Sequence, residues 1–170
     1  MNVRDEIQIH EAHQQEILDK LEGDEFARHL GIEVVELSAG KAVVRLKTEP
    51  YMLNAHSTVH GGVIYTLADY AFALACNSYG KVSVGLSTTA NFIKAVRSGD
   101  LLTATATEEK RTNRIGFYRI TVTCRNDIIA TVELMRFVTG KVNILFLWTI
   151  NNRIFAGFCH NGGEQYERTI

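Results

Sequence analysis

The chain has 170 residues, enough for one domain with a substantial core, and its 18 Lys and Arg against 19 Asp and Glu give a formal net charge of −1, which argues against a nucleic-acid-binding protein. The cysteines Cys76, Cys124 and Cys159 lack metal-ligand or CxxC spacing, so neither a disulfide framework nor a structural zinc is predicted. A polar N-terminus and a longest apolar run of only 144–150 predict no signal peptide and no membrane span, and we expect a cytoplasmic protein with reduced thiols.

Two helices are predicted at the start of the chain. Apolar residues recur at helical spacing among charged residues over 5–22, and Gly23 ends this helix. A short second helix is predicted from Asp24 to Leu30, because Asp24 is a favoured N-cap residue and Gly31 is a favoured stop.

Six segments rich in Val, Ile, Thr and aromatic residues predict strands. The first two flank Ser38-Ala39-Gly40, a hairpin signature, and the last four are joined by short turns, which predicts consecutive hairpins and an antiparallel sheet. The predicted strands are Ile32–Leu37, Lys41–Lys47, Val82–Val96, Leu101–Lys110, Phe117–Cys124 and Ile128–Val138.

Between the second and third strands, a long helix is predicted from about His60 to Ser78. Its residues after Gly62 are mostly small and apolar, which indicates a helix buried almost all round. A curved sheet wrapped around this helix would supply the cover, so the pattern predicts a single α+β domain.

The start of this helix combines features that acyl-transfer chemistry requires. Gly61 and Gly62 lie where a helix has free N–H groups and a positive partial charge, and glycine allows a close approach to the backbone. Asp69 follows two turns later in apolar surroundings, where a carboxylate is costly without a function or a partner. Two plainer alternatives stay open: the glycines only permit tight packing, and Asp69 caps or pairs with an Arg or Lys.

These residues carry a family resemblance. Asn54 and His60-Gly61-Gly62, followed by Leu67-Ala68-Asp69, closely resemble the phenylacetic-acid-degradation (PaaI-type) thioesterases of the hotdog fold, over roughly residues 25–136. The resemblance implies an antiparallel sheet wrapped around one long central helix, and a homodimer or homotetramer with active sites at the subunit interface. It implies acyl-CoA or aryl-CoA substrates and no cofactor or metal, coenzyme A being part of the substrate. Related sequences commonly have glycine where this chain has Ser57.

The resemblance also implies roles for single residues. Asp69 would be the catalytic carboxylate, as general base or nucleophile, and would act across the interface from Gly61 of the other subunit, whose amide polarises the thioester carbonyl. Asn54 and His60 would position substrate and water, although each also suits a purely structural role in the loop.

Further candidates for substrate binding are weaker, because each has an ordinary structural explanation. A strand hydroxyl could lie near the site, or belong to a solvated strand face. Aromatic residues could line an acyl pocket, or belong to the core. Basic residues could bind the CoA phosphates, or be ordinary solvated charges of a turn. The candidates are Gly62, Ser87, Tyr65, Phe72, Arg111 and Arg114.

The predicted organisation is an N-terminal helical extension (1–24), a hotdog thioesterase domain (25–138) and a tail (139–170) that does not map onto the family. The predicted function is hydrolysis of an acyl- or aryl-CoA, phenylacetyl-CoA-like or of short to medium chain. The alternative is a non-catalytic acyl-CoA-binding or regulatory hotdog domain, against which Asp69 argues. A hydratase or dehydratase would need an acid–base pair placed differently, and the sequence shows no such motif.

Overall fold

The computed structural model describes residues 3–139, with side chains from residue 6 onward, so the predicted tail from residue 140 lies outside the described residues. The three predicted helices and six predicted strands are all confirmed, with ends shifted by a few residues. None of the described helices is both long and apolar enough to span a bilayer. The elements are α1 Val3–Leu21, α2 Glu25–Leu30, β1 Glu33–Ser38, β2 Lys41–Lys47, a 3-10 turn Pro50–Met52, α3 Gly61–Asn77, β3 Ser83–Phe92, β4 Leu101–Arg111, β5 Ile115–Cys124 and β6 Asp127–Val138.

The six strands form one antiparallel sheet in the order β1-β2-β4-β5-β6-β3. The predicted hairpins β1–β2, β4–β5 and β5–β6 are present. The expected hairpin between β3 and β4 is wrong, because β3 pairs with β6 at the far edge of the sheet. The chain between them turns away from the sheet and is tied to the segment before α3, where the Val59 N–H donates to the Val96 carbonyl and the Thr48 hydroxyl donates to the Arg97 carbonyl.

Helix α3 lies against one face of the sheet and contacts every strand, as the hotdog expectation requires. Small residues on both sides allow the close approach. Ala68, Ala71 and Ala75 of the helix are fully buried, as are Ala104 and Ala106 of β4. Larger residues from the central strands, among them Ile120, Val122 and Val132, complete the core.

One face of α3 remains uncovered, so the prediction of a helix buried almost all round is wrong for the single chain. Gly62 and Asp69 are exposed, and Gly61, Tyr65, Thr66 and Ala73 are partly exposed. Their spacing of three or four residues places them in a single row along the helix, which we call the α3 stripe. The stripe bears both the glycine-rich start and the only carboxylate of α3.

Candidate active site

The loop before α3 is organised by Asn54. Its side-chain oxygen accepts hydrogen bonds from the backbone N–H groups of His56 (2.8 Å) and Thr58 (3.3 Å), and its amide nitrogen donates to the Thr58 hydroxyl (3.0 Å). Ser57, at the position where relatives commonly have glycine, adopts a left-handed conformation with φ of 58°. These contacts give Asn54 a structural role in the loop, the alternative that the sequence left open.

His60 caps the start of α3. Its Nδ1 accepts the N–H of Gly62 at 2.9 Å, and its carbonyl accepts the N–H of Val63 at 2.9 Å. Because Nδ1 is committed to this bond, a neutral His60 carries its proton on Nε2, and the ring fixes the first turn of the helix.

The N–H of Gly61 stays free at this helix start. His60 accepts hydrogen bonds from the next three amides, whereas no described residue accepts one from Gly61. The three atoms nearest to a Cβ built at Gly61 all belong to the ring of Phe92, 3.5–3.8 Å away, which is ordinary van der Waals contact. Gly61 is partly exposed, and its amide is left without an acceptor among the described residues.

Asp69 is the second reactive group on the α3 stripe. Its carboxylate is exposed, and it accepts no hydrogen bond and forms no ion pair with any side chain from residue 6 to residue 139, so neither capping nor pairing explains it there. The sequence expectation of a buried acid is thus wrong for the single chain. Packed neighbouring atoms still remove part of its hydration, and this desolvation, followed by the negative charge of Asp24, raises the pKa of Asp69 above its ordinary value.

The two groups are too far apart to meet in one chain. Asp69 lies eight residues after Gly61 in a continuous helix, so their backbones are separated by about 12 Å along the axis. A single attacked atom can lie within about 3 Å of both groups only if the amide and the carboxylate are no more than about 6 Å apart.

Strand β3 runs beside the α3 stripe and corrects one expectation. Ser87 pairs with Met135 on the outer face of the sheet, so its hydroxyl lies on the side away from α3. Thr88, which pairs with the buried Leu134, lies on the α3 side instead, and so does Phe92, which pairs with the buried Ala130. A one-residue error reverses the face, and a bulge between Gly85 and Ser87 defeats simple counting from the start of the strand.

The two predicted pocket aromatics differ. Tyr65 lies on the α3 stripe and is partly exposed. Phe72 is 2% exposed and packs edge-on against Tyr118, with ring centroids 5.3 Å apart, so its predicted contact with substrate is replaced by a place in the core.

The two predicted phosphate-binding arginines also differ. Arg111 is buried beside the other end of α3, where its guanidinium lies 3.6 Å above the Tyr79 ring and pairs with Glu6 (3.0 Å) and Glu108 (3.4 Å). These contacts correct its prediction as a phosphate ligand, since the guanidinium is buried against a ring and paired with two carboxylates. Arg114 lies exposed in the turn between β4 and β5 and is available.

Cys76 and Cys124 are buried and free, as predicted, and Cys159 lies outside the described residues. Between residues 3 and 139, no group of three or more His, Cys, Asp or Glu side chains is arranged to hold a metal ion.

Comparison with known proteins agrees with the fold. The family described as Thioesterase superfamily matches residues 56–131. The acyl-coenzyme A thioesterase PaaI of Escherichia coli K12 is 40% identical over 121 residues, which cover 71% of this chain and 85% of PaaI. The solved structure of the Escherichia coli PaaI protein from the phenylacetic acid degradation operon superposes with a TM-score of 0.74 at 33% identity, covering 78% of this chain and 96% of that one.

A second solved structure, smu.793 from Streptococcus mutans bound to acetyl CoA, is 28% identical with a TM-score of 0.63, over 65% of this chain and 90% of that one. Family match, sequence identity and backbone superposition coincide on the region that contains the α3 stripe. The chain therefore belongs to the thioesterase superfamily, as a thioester hydrolase of the PaaI-like hotdog type.

Proposed function

We propose that this chain hydrolyses acyl-CoA or aryl-CoA thioesters to the free acid and CoA, at a site formed by Gly61 of one subunit and Asp69 of another. The observation that carries the proposal is a free helix-terminal amide and an unpaired carboxylate on one exposed stripe of α3. The relatives support the substrate class, because PaaI is named an acyl-coenzyme A thioesterase and smu.793 was solved with acetyl CoA.

In this reaction the thioester carbonyl oxygen accepts a hydrogen bond from the Gly61 N–H. A water attacks the carbonyl carbon while Asp69 takes its proton, and the oxyanion that forms is stabilised by the amide. The C–S bond then breaks, and the CoA thiolate leaves and is protonated. In the second route Asp69 itself attacks, forming a mixed anhydride that water hydrolyses.

The distance along α3 supports a two-subunit site. Because Gly61 and Asp69 are about 12 Å apart in one chain, they can act on one substrate only if two α3 helices lie antiparallel, with Gly61 facing the partner subunit's Asp69. Residue 65 is the midpoint between 61 and 69, so Tyr65 would lie next to its own copy at the two-fold axis.

The edge of the sheet supports the same assembly. Strand β3 has ten residues, a free edge within the described residues, and exposed apolar side chains: Val84 is 47% exposed and Leu86 is 57% exposed. A long apolar edge strand is a ready pairing site for another strand. At the opposite edge, Gln14 of α1 donates to the Leu37 carbonyl of β1 and partly covers the strand.

The activity test compares wild type with Asp69→Asn on a panel of acyl-CoAs (phenylacetyl, hydroxylated aryl, short and medium chain), with release of free thiol as readout. We expect a loss of about 10²–10⁴-fold in kcat, because the isosteric amide cannot take a proton or attack. Asp19→Asn, an exposed acid on α1, serves as control. Full activity of Asp69→Asn would refute the proposal, and an inactive wild type that still binds acyl-CoA would favour the binding-domain alternative.

A single turnover in ¹⁸O-labelled water separates the two routes. With Asp69 as general base, the first acid released carries the label. With Asp69 as nucleophile and water attacking the Asp69 carbonyl of the anhydride, the first acid carries unlabelled oxygen from the carboxylate and the label enters Asp69, so label in Asp69 identifies this route.

The subunit arrangement is tested by cross-linking in a Cys159→Ser background. A short bis-maleimide should couple Tyr65→Cys to its own copy. Ala73→Cys, on the same stripe, should stay uncoupled, because residues 73 of two antiparallel helices would lie about 24 Å apart along the axis. Coupling of Ala73→Cys without Tyr65→Cys would contradict this arrangement. Sedimentation of the uncross-linked protein distinguishes a dimer from a tetramer.

A further inference from the structure

The ring of Phe92 supplies the three atoms nearest to a side chain built at Gly61. The Cζ, Cε1 and Cε2 atoms of its ring lie 3.5, 3.6 and 3.8 Å from where a Gly61 Cβ would be. The rest of the ring is open, and Phe92 is 54% exposed. One edge of the ring thus lies beside the backbone that carries the free amide, and much of the rest is exposed in the single chain.

The position of the ring is fixed by the backbone on both sides. Phe92 is the last residue of β3 and pairs with Ala130, which directs its side chain toward α3. The N–H groups of Ile93 and Lys94 both donate to the Ile129 carbonyl, at 2.8 and 3.2 Å, which holds the strand end. The backbone that carries the ring is therefore held in place before any substrate arrives.

An apolar wall beside a hydrogen-bond donor changes what the donor can do. A hydrogen bond to a developing negative charge is stronger where water is excluded, because the local dielectric is lower and no solvent competes for the donor. The pantetheine arm and the acyl group next to the thioester are themselves apolar enough to pack on a phenyl ring.

We propose that Phe92 is a positioning residue of the thioester site, whose ring keeps water away from the Gly61 N–H and packs against the substrate beside the reacting carbonyl. This inference rests on the proposed function, since it assigns the ring a part at the same amide. The ring takes up no proton and forms no bond with the substrate. It acts by strengthening the hydrogen bond from the Gly61 N–H to the oxyanion in the transition state.

The test compares Phe92→Leu with Phe92→Gln, two residues of similar size that differ in polarity. Phe92→Leu keeps an apolar cover, and we expect its kcat to stay within about threefold of wild type. Phe92→Gln brings water and a competing amide to the site. We expect its kcat to fall about tenfold and its KM to change less than about threefold. The fall in kcat is a part of the rate factor of about 10²–10³ that one such hydrogen-bond donor contributes.

Ile93→Gln is the matched control, because Ile93 is the next residue and is equally exposed at 59%. Ile93→Gln should keep kcat within about twofold of wild type. All three variants should retain the melting temperature and the assembled mass of wild type. A loss of kcat in Phe92→Gln alone then supports the proposal. Equal kcat values for Phe92→Gln and Ile93→Gln would overturn it, as would a Phe92→Leu as slow as Phe92→Gln, or an effect confined to KM. A wild type that hydrolyses no acyl-CoA would instead refute the proposed function.

Discussion

Adding one methyl group at Gly61 should raise stability and lower turnover together. Gly61 is the first residue of α3, with no positive φ, so alanine fits its backbone without strain. The atoms nearest to its Cβ would be those of the Phe92 ring, at 3.5 Å or more, which is ordinary van der Waals contact. Replacing glycine at such a position lowers the entropy of the unfolded chain and stabilises by about 0.4–1 kcal/mol. For a protein of this size we expect the melting temperature to rise by about 1–4 °C.

The same methyl group should obstruct the reaction. It would stand beside the N–H, in the open space that the thioester carbonyl has to enter, and displacement of a reacting group by about 1 Å can cost about 10²-fold in rate. Thermal unfolding and thiol release measured on one preparation therefore should move in opposite directions. A Gly61→Ala enzyme with the wild-type rate would refute this reading of the amide.

Gly62→Ala supplies the control, because its Cβ would lie 3.0 Å from the Nδ1 of His60. The ring must move by a few tenths of an ångström, which weakens its bond to the Gly62 N–H, and we expect stability to fall by up to about 1 kcal/mol. If both alanine variants lost stability equally, the difference inferred between the two glycines would be wrong.

Two further predictions concern charged groups. Because the pKa of Asp69 is raised, we expect the rate to fall in acid at a pH above the ordinary carboxyl value of 3.8. Between pH 3.8 and the raised pKa, the folded chain binds a proton at Asp69 that the unfolded chain does not. Asp69 therefore favours folding below pH 3.8, and this contribution is lost as pH rises through the raised pKa. Asp69→Asn should therefore melt at or above wild type at pH 7, with the difference shrinking in acid, and a lower melting temperature at pH 7 would contradict this. Glu6→Gln should destabilise by about 3–5 kcal/mol, because buried Glu6 pairs with both Lys81 and Arg111. Thermal unfolding should show the loss in Glu6→Gln and not in Glu11→Gln, an exposed position on the same helix.

The start of α3 could be predicted from the sequence because its signals are local. A capping histidine, two glycines and an apolar helix are neighbours in the chain, and the helix starts at Gly61 as expected. Asp24 and Gly31 likewise end up as the caps of α2, with the Asp24 carboxylate accepting the Ala27 N–H.

What the sequence missed depends on distant parts of the chain. The pairing of β3 with β6 follows from closing a sheet around α3, and no turn signal encodes it. Arg111 lies next to a turn and resembled a solvated charge until Glu6, from the first helix, was seen to pair with it. The α3 stripe was misjudged because small apolar residues suit a subunit contact as well as a core, and composition does not separate the two.

The spacing of Gly61 and Asp69 along α3 predicts that two inactive variants can complement each other in a hybrid dimer. If each helix supplies the donor to one site and the acid to the other, a Gly61→Ala subunit and an Asp69→Asn subunit are defective in different ways. Unfolded and refolded together, they form hybrids in which one site has both native groups and the other has neither. A one-to-one mixture should recover about a quarter of wild-type turnover by random assortment into pairs, although each parent is inactive alone.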